Sequence, residues 1–390
     1  MAERRGMNST HLKNRNRGLV LQQVASEHRI SRADITKRIG LTKMAITNIV
    51  CELIEDGFIV EKEAAETTAV GRNPVMLDIS PHAPKVIGLY ISRTQVSVLL
   101  TDLKLHILFG DVLPLENENE HSLTRKIETL IDATRDKAGR DRILGIGVSS
   151  IGPLDTGSGT ILNPTNFFGI SNYQVVSLLT NRYGLPVILN NDMNASALAE
   201  KLFGSGRDVN NFIYLGISNG IGSGIITNGR LYQDNSGFVG EIGHTCINFD
   251  GELCSCGNRG CLEVYADLSV LIRKLRRAGN QSAVSPQDFE KLAAIPACDD
   301  VFRDVVYVLS IALVNVINLL DPQKIIIGHE GAYLPQRYLT MLEDLVNRHI
   351  LATGYKRIRI EKSSFTSKAS LFGSACCILN ELFSGHIFPC

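Results

Sequence analysis

Four metal-seeking side chains within eighteen residues constrain this chain more than any other feature. His244, Cys254, Cys256 and Cys261 follow the spacing H-x9-C-x-C-x4-C in the run from Gly240 to Glu263. One imidazole and three thiols, separated by glycines that permit tight turns, predict a tetrahedral zinc shell with no open position. A closed shell holds a structural ion, not a catalytic one. Two other readings stand beside it. The cysteines could be ordinary buried thiols near a surface histidine, or a pair could form a disulfide, which would leave most of the cluster unexplained.

The rest of the composition fits an intracellular, multidomain protein. A length of 390 residues predicts two or three domains, each with its own core. The 40 basic and 40 acidic residues cancel, which argues against indiscriminate nucleic-acid binding by the whole molecule. The charge is uneven, however. Met1 to Val50 carries ten Lys/Arg against three Asp/Glu, a net +7, and predicts a nucleic-acid-binding head on a neutral body. Met1 to Thr10 has no apolar core, so no signal peptide is expected. No apolar run long enough to span a bilayer is expected either. Cys51, Cys298, Cys376, Cys377 and Cys390 lie outside the cluster, and a reducing cytoplasm is their natural setting.

The basic head reads as a winged helix-turn-helix. Leu19, Val20 and Val24 sit at helical spacing between Asn16 and Ser26. Ser31 precedes Asp34 by three residues, a capping box that starts a helix through Ile39. Gly40 breaks it, and Thr42 caps a second helix to about Glu55. Lys43, Met44, Thr47 and Asn48 face outward near the start of that helix, where recognition helices reach base edges. A generic helical hairpin with solvated charges is the plainer alternative. Phe58–Glu61 and Val75–Ile79 then form a β-wing. Arg72 lies just before the return strand in Gly71-Arg72-Asn73-Pro74, as a candidate for the minor groove or as an ordinary loop arginine. Ser80-Pro81-His82-Ala83-Pro84 makes a short, stiff linker.

From Val86 onward, strands and helices alternate. Strands are expected within Val86–Leu100, Leu105–Val112, Ile143–Ser149, Val187–Leu189, Phe212–Gly216, Ile225–Thr227 and Lys324–Gly328. Helices are expected at Ser122–Ala138, Tyr173–Tyr183 and Val301–Leu320. The pattern predicts two α/β lobes with a cleft between them.

The run G-E-x-G-H followed by C-x-C-G-x-x-G-C-x-E, at Gly240–Glu263, resembles the signature of the ROK family of repressors, open reading frames and kinases. The resemblance covers the chain from about Val86 to the C-terminus. It implies an actin- and hexokinase-like fold behind the winged head, with a C-terminal helix near Ala369–Phe383 returning to the first lobe. The implied domains are 1–80 for the head, 81–85 for the linker, 86–192 plus 369–390 for one lobe and 193–368 for the other. It also implies a zinc loop presenting Glu241, His244 and Glu263 to a sugar. Asn190-Asn191-Asp192-Met193-Asn194-Ala195 resembles the N-D-x-N-A motif whose carboxylate is the base in the family's kinases. Asn166 in Asn163-Pro164-Thr165-Asn166 matches an asparagine that faces a sugar hydroxyl. Asn191, Asp192 and Asn166 thus join the implied sugar site. Asp192 alone would equally serve as a helix N-cap.

The phosphate-binding elements depart from the kinase pattern. Where ROK kinases carry D-x-G-G-T-K, this chain reads Tyr90-Ile91-Ser92-Arg93-Thr94-Gln95, and only Thr94 remains. Ser218-Asn219-Gly220-Ile221-Gly222-Ser223-Gly224 retains part of the second loop, while Gly328-His329-Glu330-Gly331 is altered near the adenosine position. The expectation is therefore not an enzyme. It is a dimeric, sugar-responsive regulator, a repressor similar in its head to the xylose-type members. Its partners would be an inverted-repeat DNA operator and a small sugar. An active sugar kinase with a DNA-binding head is the alternative, and a further protein partner stays open.

Overall fold

The computed structural model describes residues 9–62, 75–233 and 237–388. The head begins with α1 (Ser9–Ser26), seven residues earlier than the apolar spacing alone indicates. The polar stretch from His11 to Arg15 extends the helix without burying an apolar face, so periodicity could not find it. Next come β1 (Ile30–Ser31), α2 (Arg32–Ile39), α3 (Lys43–Glu55), β2 (Ile59–Lys62) and β3 (Met76–Ile79). Ser31 caps α2 by accepting from the Asp34 amide at 3.2 Å. Gly40 ends it at φ 77, a left-handed conformation that glycine adopts without a Cβ penalty. Thr42 Oγ1 accepts from the Ala45 amide at 3.2 Å and starts α3. Ile35, Ile46, Ile49, Val50 and Leu53 are buried between the helices. The strands pair antiparallel in the order β1-β3-β2, which is the wing.

The body continues with β4 (Lys85–Ile91), β5 (Gln95–Thr101), β6 (Ile107–Pro114), α4 (Glu120–Ala138), β7 (Ile143–Ser150), β8 (Leu154–Asp155), β9 (Thr160–Ile161) and α5 (Val175–Tyr183). Then come β10 (Val187–Asn191), α6 (Asp192–Phe203), β11 (Phe212–Ser218), β12 (Gly220–Thr227) and β13 (Arg230–Leu231). The last part holds α7 (Glu263–Ala266), α8 (Leu268–Ala278), α9 (Phe289–Leu292), α10 (Pro296–Leu320), β14 (Lys324–His329), α11 (Gln336–His349), β15 (Arg359–Lys362) and α12 (Ala369–Phe383).

The chain divides into two compact units. One holds residues 1–150, 165–189 and 374–390, and the other 151–164 and 190–373. The first contains the head and a five-stranded sheet in the order β10-β7-β4-β5-β6, of which β10 runs on to its end in the second unit. The Val86–Leu100 run is a hairpin, because Ser92 turns the chain by accepting amides from Thr94 and Gln95 on its hydroxyl. The head is tied to this sheet. Lys104 Nζ donates to Asp78 Oδ1 at 2.6 Å and to the His28 carbonyl at 3.1 Å. Burial pushes the Asp78 carboxyl up, but the Lys104 and Lys62 ammonium groups and the Ile79 amide together hold it below the usual range.

The second unit carries the sheet β13-β12-β11-β14-β15, with β14 and β15 parallel to β11 and the β11–β12 hairpin antiparallel. One face packs on α8, α10 and α11 through Leu271, Leu275, Phe302, Leu309, Leu313 and Tyr338. The other is covered by α6. Glu200 closes the far end of that helix, accepting from Ser363 Oγ at 2.6 Å and from the amides of Ser364 and Ser205 at 2.9 and 2.8 Å. Pro296–Leu320 is long and apolar enough to cross a membrane by length and composition, which corrects the expectation that no such run exists. Its buried face explains the composition, since Phe302, Val305, Val306, Leu309 and Leu313 lie in the unit's core.

The glycines of β12 are set by packing. A Cβ on Gly224 would strike the Met193 carbonyl and the Ala197 methyl on α6, atoms that the helix backbone holds in place. Gly224→Ala should therefore destabilise the unit by about 1–3 kcal/mol or more. Gly110→Ala, whose Cβ would make an ordinary 3.5 Å contact, should stay within about 1 kcal/mol of the parent. Urea unfolding of the two variants checks this, and equal costs would remove the packing explanation.

Candidate functional site

Strand β12 is the element on which the candidate residues of the second unit converge. At Ile221 its amide donates to Glu263 Oε2 at 3.2 Å. At Ser223 its amide and hydroxyl both reach the Gly240 carbonyl, at 2.9 and 2.8 Å, which seats the segment bearing Glu241. At Gly222 and Gly224 it lies against Met193, one residue after Asp192. Three segments distant in sequence are thus fixed to one strand. Glu241 precedes the short 3-10 turn Ile242–His244, His244 ends it, and Glu263 opens α7.

The carboxyl of Glu241 is pushed above the ordinary range, first by desolvation and then by the Glu263 charge, with His244 opposing. Glu241 as a residue remains solvent-exposed, so this shift carries little free energy.

Asp192 is buried, at 8% exposure, at the first position of α6. The cap itself is Asn191, whose Oδ1 accepts from the Met193 amide at 2.9 Å. Asp192 Oδ1 accepts from the same amide at 2.9 Å. The carboxylate therefore sits at the positive end of a helix without serving as its N-cap. Asn194, quoted above only as part of a motif, is buried at 4% exposure, and its Oδ1 has no hydrogen-bond partner. An unpaired buried oxygen costs about 1–3 kcal/mol and marks a place where a ligand donor would be favourable. Only its position two residues after Asp192 could have flagged it. Asn166 belongs to the first unit, where it is exposed with φ 57.

His244, Cys254, Cys256 and Cys261 each aim one donor atom inward, and the four atoms lie within 4.8 Å of one another. Cys254 Sγ is 3.6 Å from His244 Nδ1, and Cys256 Sγ is 3.7 Å from Cys261 Sγ. A tetrahedron with bonds of about 2.0–2.3 Å has edges of about 3.5–3.8 Å, so the cluster fits a four-coordinate ion of that size. Because Nδ1 faces the thiols, His244 keeps Nε2 for another partner. Burial and the neighbouring thiols push Cys261 up to about 12, the resistance to ionisation that a cation at the centre would reverse. Gly260 brings the ribbon together at φ 67, with Asn248 against its Cα.

His329 ends β14, between Gly328 and Glu330. It is buried at φ 52, a region sparsely populated by non-glycine residues. Its Nε2 meets Ser370 Oγ at 3.1 Å, and its amide donates to Tyr214 OH at 3.2 Å. Ser370 and Ser196 lie 3.0 Å apart, and both donate to the Asp192 carbonyl. The space beside the start of α6 is thus filled by an imidazole and two hydroxyls.

In the head, Lys43, Met44, Thr47 and Asn48 are all exposed on the first turns of α3, with Met44 76% exposed despite its apolar chain. Arg72 lies outside the described residues.

The family model described as the ROK family matches residues 86–381. The chain belongs to the ROK family. It is 30% identical over 394 residues to the xylose repressor of Caldicellulosiruptor bescii, covering 97% of this chain and 98% of that protein. A solved ROK family transcriptional regulator, a homologue of the Escherichia coli Mlc protein, is 27% identical with a TM-score of 0.81, covering 97% and 98% of the two chains. A ROK hexokinase from Thermus thermophilus is 28% identical with a TM-score of 0.65, covering 97% of its own length and 75% of this chain. The winged head followed by an actin- and hexokinase-like body is the architecture of this chain.

Burial draws His329 down to about 4 from its ordinary 6.5, so the imidazole is neutral in the fold. The unfolded chain then takes up a proton first as pH falls. The stability that a neutral His329 contributes is full above 6.5 and is lost as pH drops toward 4, about 3 kcal/mol in all. His329→Gln should remove that part of the pH dependence between 7 and 4. Denaturant unfolding across this range decides it, and an unchanged slope would show that His329 does not titrate there.

Proposed function

We propose that this chain is a sugar-responsive transcriptional repressor whose kinase-like body senses the sugar and whose residues 1–80 read DNA. The observation that carries the reading is coverage. The likeness to a named repressor and to a solved regulator runs through the head and the body, whereas the hexokinase likeness stops short of the head. Lys43, Met44, Thr47 and Asn48 would face the major groove from α3, and Arg72 the minor groove. A two-fold dimer would place two heads on an inverted repeat. The cytoplasm is the compartment this reading requires.

Asn166, Asn191, Asp192, Glu241, His244 and Glu263 would hold the sugar, with Asn194 added by its unpaired oxygen. A carboxylate such as Asp192 accepts a hydroxyl proton in a hydrogen bond whether or not chemistry follows. Catalysis is not part of the proposal. Tyr90, Ser92, Arg93 and Gln95 stand where the kinases carry an acid, glycines and lysine, and Ser92 spends its hydroxyl on its own turn. His329 fills the interior where the kinases have glycine.

Zn2+ is the ion that suits three thiols and an imidazole. His244, Cys254, Cys256 and Cys261 would hold it, and it would supply rigidity to the loop that carries Glu241 and leads to Glu263. Cys256→Ser should lower metal content and weaken the sugar response together. A full complement of zinc in that variant, by elemental analysis, would remove the assignment.

The regulator reading is tested by linkage. Sugar and operator must change each other's affinity by the same factor. Asp192→Asn should cost about 1.5–3 kcal/mol of sugar affinity and leave operator binding intact. Calorimetric sugar titrations with and without operator measure the coupling. Equal affinities in the two would end the reading, and phosphorylation of an aldose by ATP would replace it with the kinase.

A further inference from the structure

We propose that Cys246 is an oxidation site, a thiol set to form a disulfide with Cys261 when hydrogen peroxide reaches it, and that this bond opens the metal-ligand cluster. The ligand loop holds a further sulfur, because Cys246 follows His244 by two residues. It stands outside the cluster, whose members are His244, Cys254, Cys256 and Cys261. Cys246 is exposed, and Cys261 is buried.

The backbone sets these two cysteines opposite each other. They form an antiparallel bridge. The Ile247 amide donates to the Gly260 carbonyl at 2.8 Å on one side of it, and the Leu262 amide to the Thr245 carbonyl at 3.0 Å on the other. Bonds that flank a pair in this way leave the pair itself non-hydrogen-bonded, the register with the closer side chains. Such residues have Cα atoms about 4.5 Å apart and side chains on one face. A disulfide spans Cα separations of about 4.4–6.8 Å, a range that includes this register.

Placement divides the chemistry between the two thiols. Exposure lets peroxide reach the Cys246 sulfur, and a facing cysteine resolves the product. The Cys246 sulfur attacks one peroxide oxygen, the O–O bond breaks, and a sulfenic acid forms with release of water. The Cys261 sulfur then attacks the Cys246 sulfur, the S–O bond breaks, and a second water leaves. Two thiols are oxidised by two electrons in all, and one peroxide is reduced to two waters. A dithiol reductant restores both thiols, so the change is reversible. In the disulfide, Cys261 Sγ no longer has the negative charge with which a thiolate holds a cation, and the shell falls from four ligands to three. The release of the ion rests on the zinc assignment proposed above, whereas the pairing of the thiols does not.

Peroxide treatment of the full-length chain, loaded with zinc and freed of reductant, tests it. A colorimetric chelator follows zinc release, and mass spectrometry of the unreduced digest reads the linkage. Cleavage at Asp250 or Glu252 parts Cys246 from Cys254 and Cys256, and trypsin at Arg259 parts these from Cys261, so each pairing has its own mass. A Cys246–Cys261 linkage should appear together with released zinc and disappear with dithiothreitol. Cys246→Ser should keep its zinc when untreated and release it about tenfold more slowly under peroxide. Should that variant not fold, the parent's linkage map decides alone. A linkage confined to Cys254, Cys256 and Cys261, zinc loss from Cys246→Ser at the parent's rate, or thiols that stay free would each overturn the proposal. A parent that binds no zinc yet forms the Cys246–Cys261 bond would remove the zinc assignment and leave the pairing standing. A zinc-loaded parent whose Cys246 stays free would do the reverse.

Discussion

The seating of α6 on β12 is the contact on which the second unit depends. Ten of the helix's 12 residues are buried, among them Asp192, Asn194, Ser196 and Glu200. A helix so deeply enclosed leaves its polar groups no recourse to water, so each needs a partner inside, and the Asn194 Oδ1 is left without one. Glycine on β12 lets the backbone approach closely enough for that. At the far end Glu200 takes three donors. At the near end Asn191 caps, while Ser196 and Ser370 bond the Asp192 carbonyl. The helix start is consequently rigid, and a rigid carboxylate is what a sugar hydroxyl can be matched against.

The metal-ligand loop serves the same strand from the other direction. Glu263 follows Cys261 by two residues and bonds the Ile221 amide. Gly240, four residues before His244, accepts from Ser223. Four donor atoms gather between these two attachments, in a glycine-rich segment whose side chains are largely exposed. Phe249 and Leu253 are 87% and 66% exposed, so hydrophobic burial does not order this loop. Backbone bonds such as Ile247 to Gly260 and Cys254 to Asn258 order it, and in the proposed reading an ion would add a cross-link and turn the loop into a wall of the sugar site.

How much of this was legible in the sequence varies by the kind of signal. Helix caps were, because Ser31, Gly40 and Thr42 act through atoms one to four residues away. The ligand cluster was, because its spacing is local. The glycines of Gly220–Gly224 looked like a remnant phosphate loop, and their reason is long-range. Gly222 and Gly224 lie against Met193, Gly224 also against Ala197, and Gly220 lies against Glu263, and no local pattern reports that. Asn194 was passed over for the same cause, since a missing partner is a property of the surroundings. Helix α10 escaped notice as a span-length apolar run because its polar residues, Ser310, Asn315 and Asn318, interrupt the eye without lowering its overall character.

His329 is accommodated at the end of β14 without a break in the sheet. The strand β14 still pairs in parallel with β11 through Gly216 opposite Gly328 and Ile217 opposite His329. The pairing is thus continuous through His329. The side chain pays in backbone strain at φ 52, about 1–3 kcal/mol, offset by its bond to Ser370 and by the apolar surface it buries. That exchange is favourable only while the imidazole is neutral and the interior is closed. A phosphate chain brought to the same place would need the imidazole gone and the amides bare. A sugar held at the start of α6 needs neither, because the groups it would bond, Asp192 and Asn194, are separate from those that His329 engages. A body that bound a sugar without transferring a phosphoryl group, as the proposed regulator would, is therefore physically compatible with this sheet.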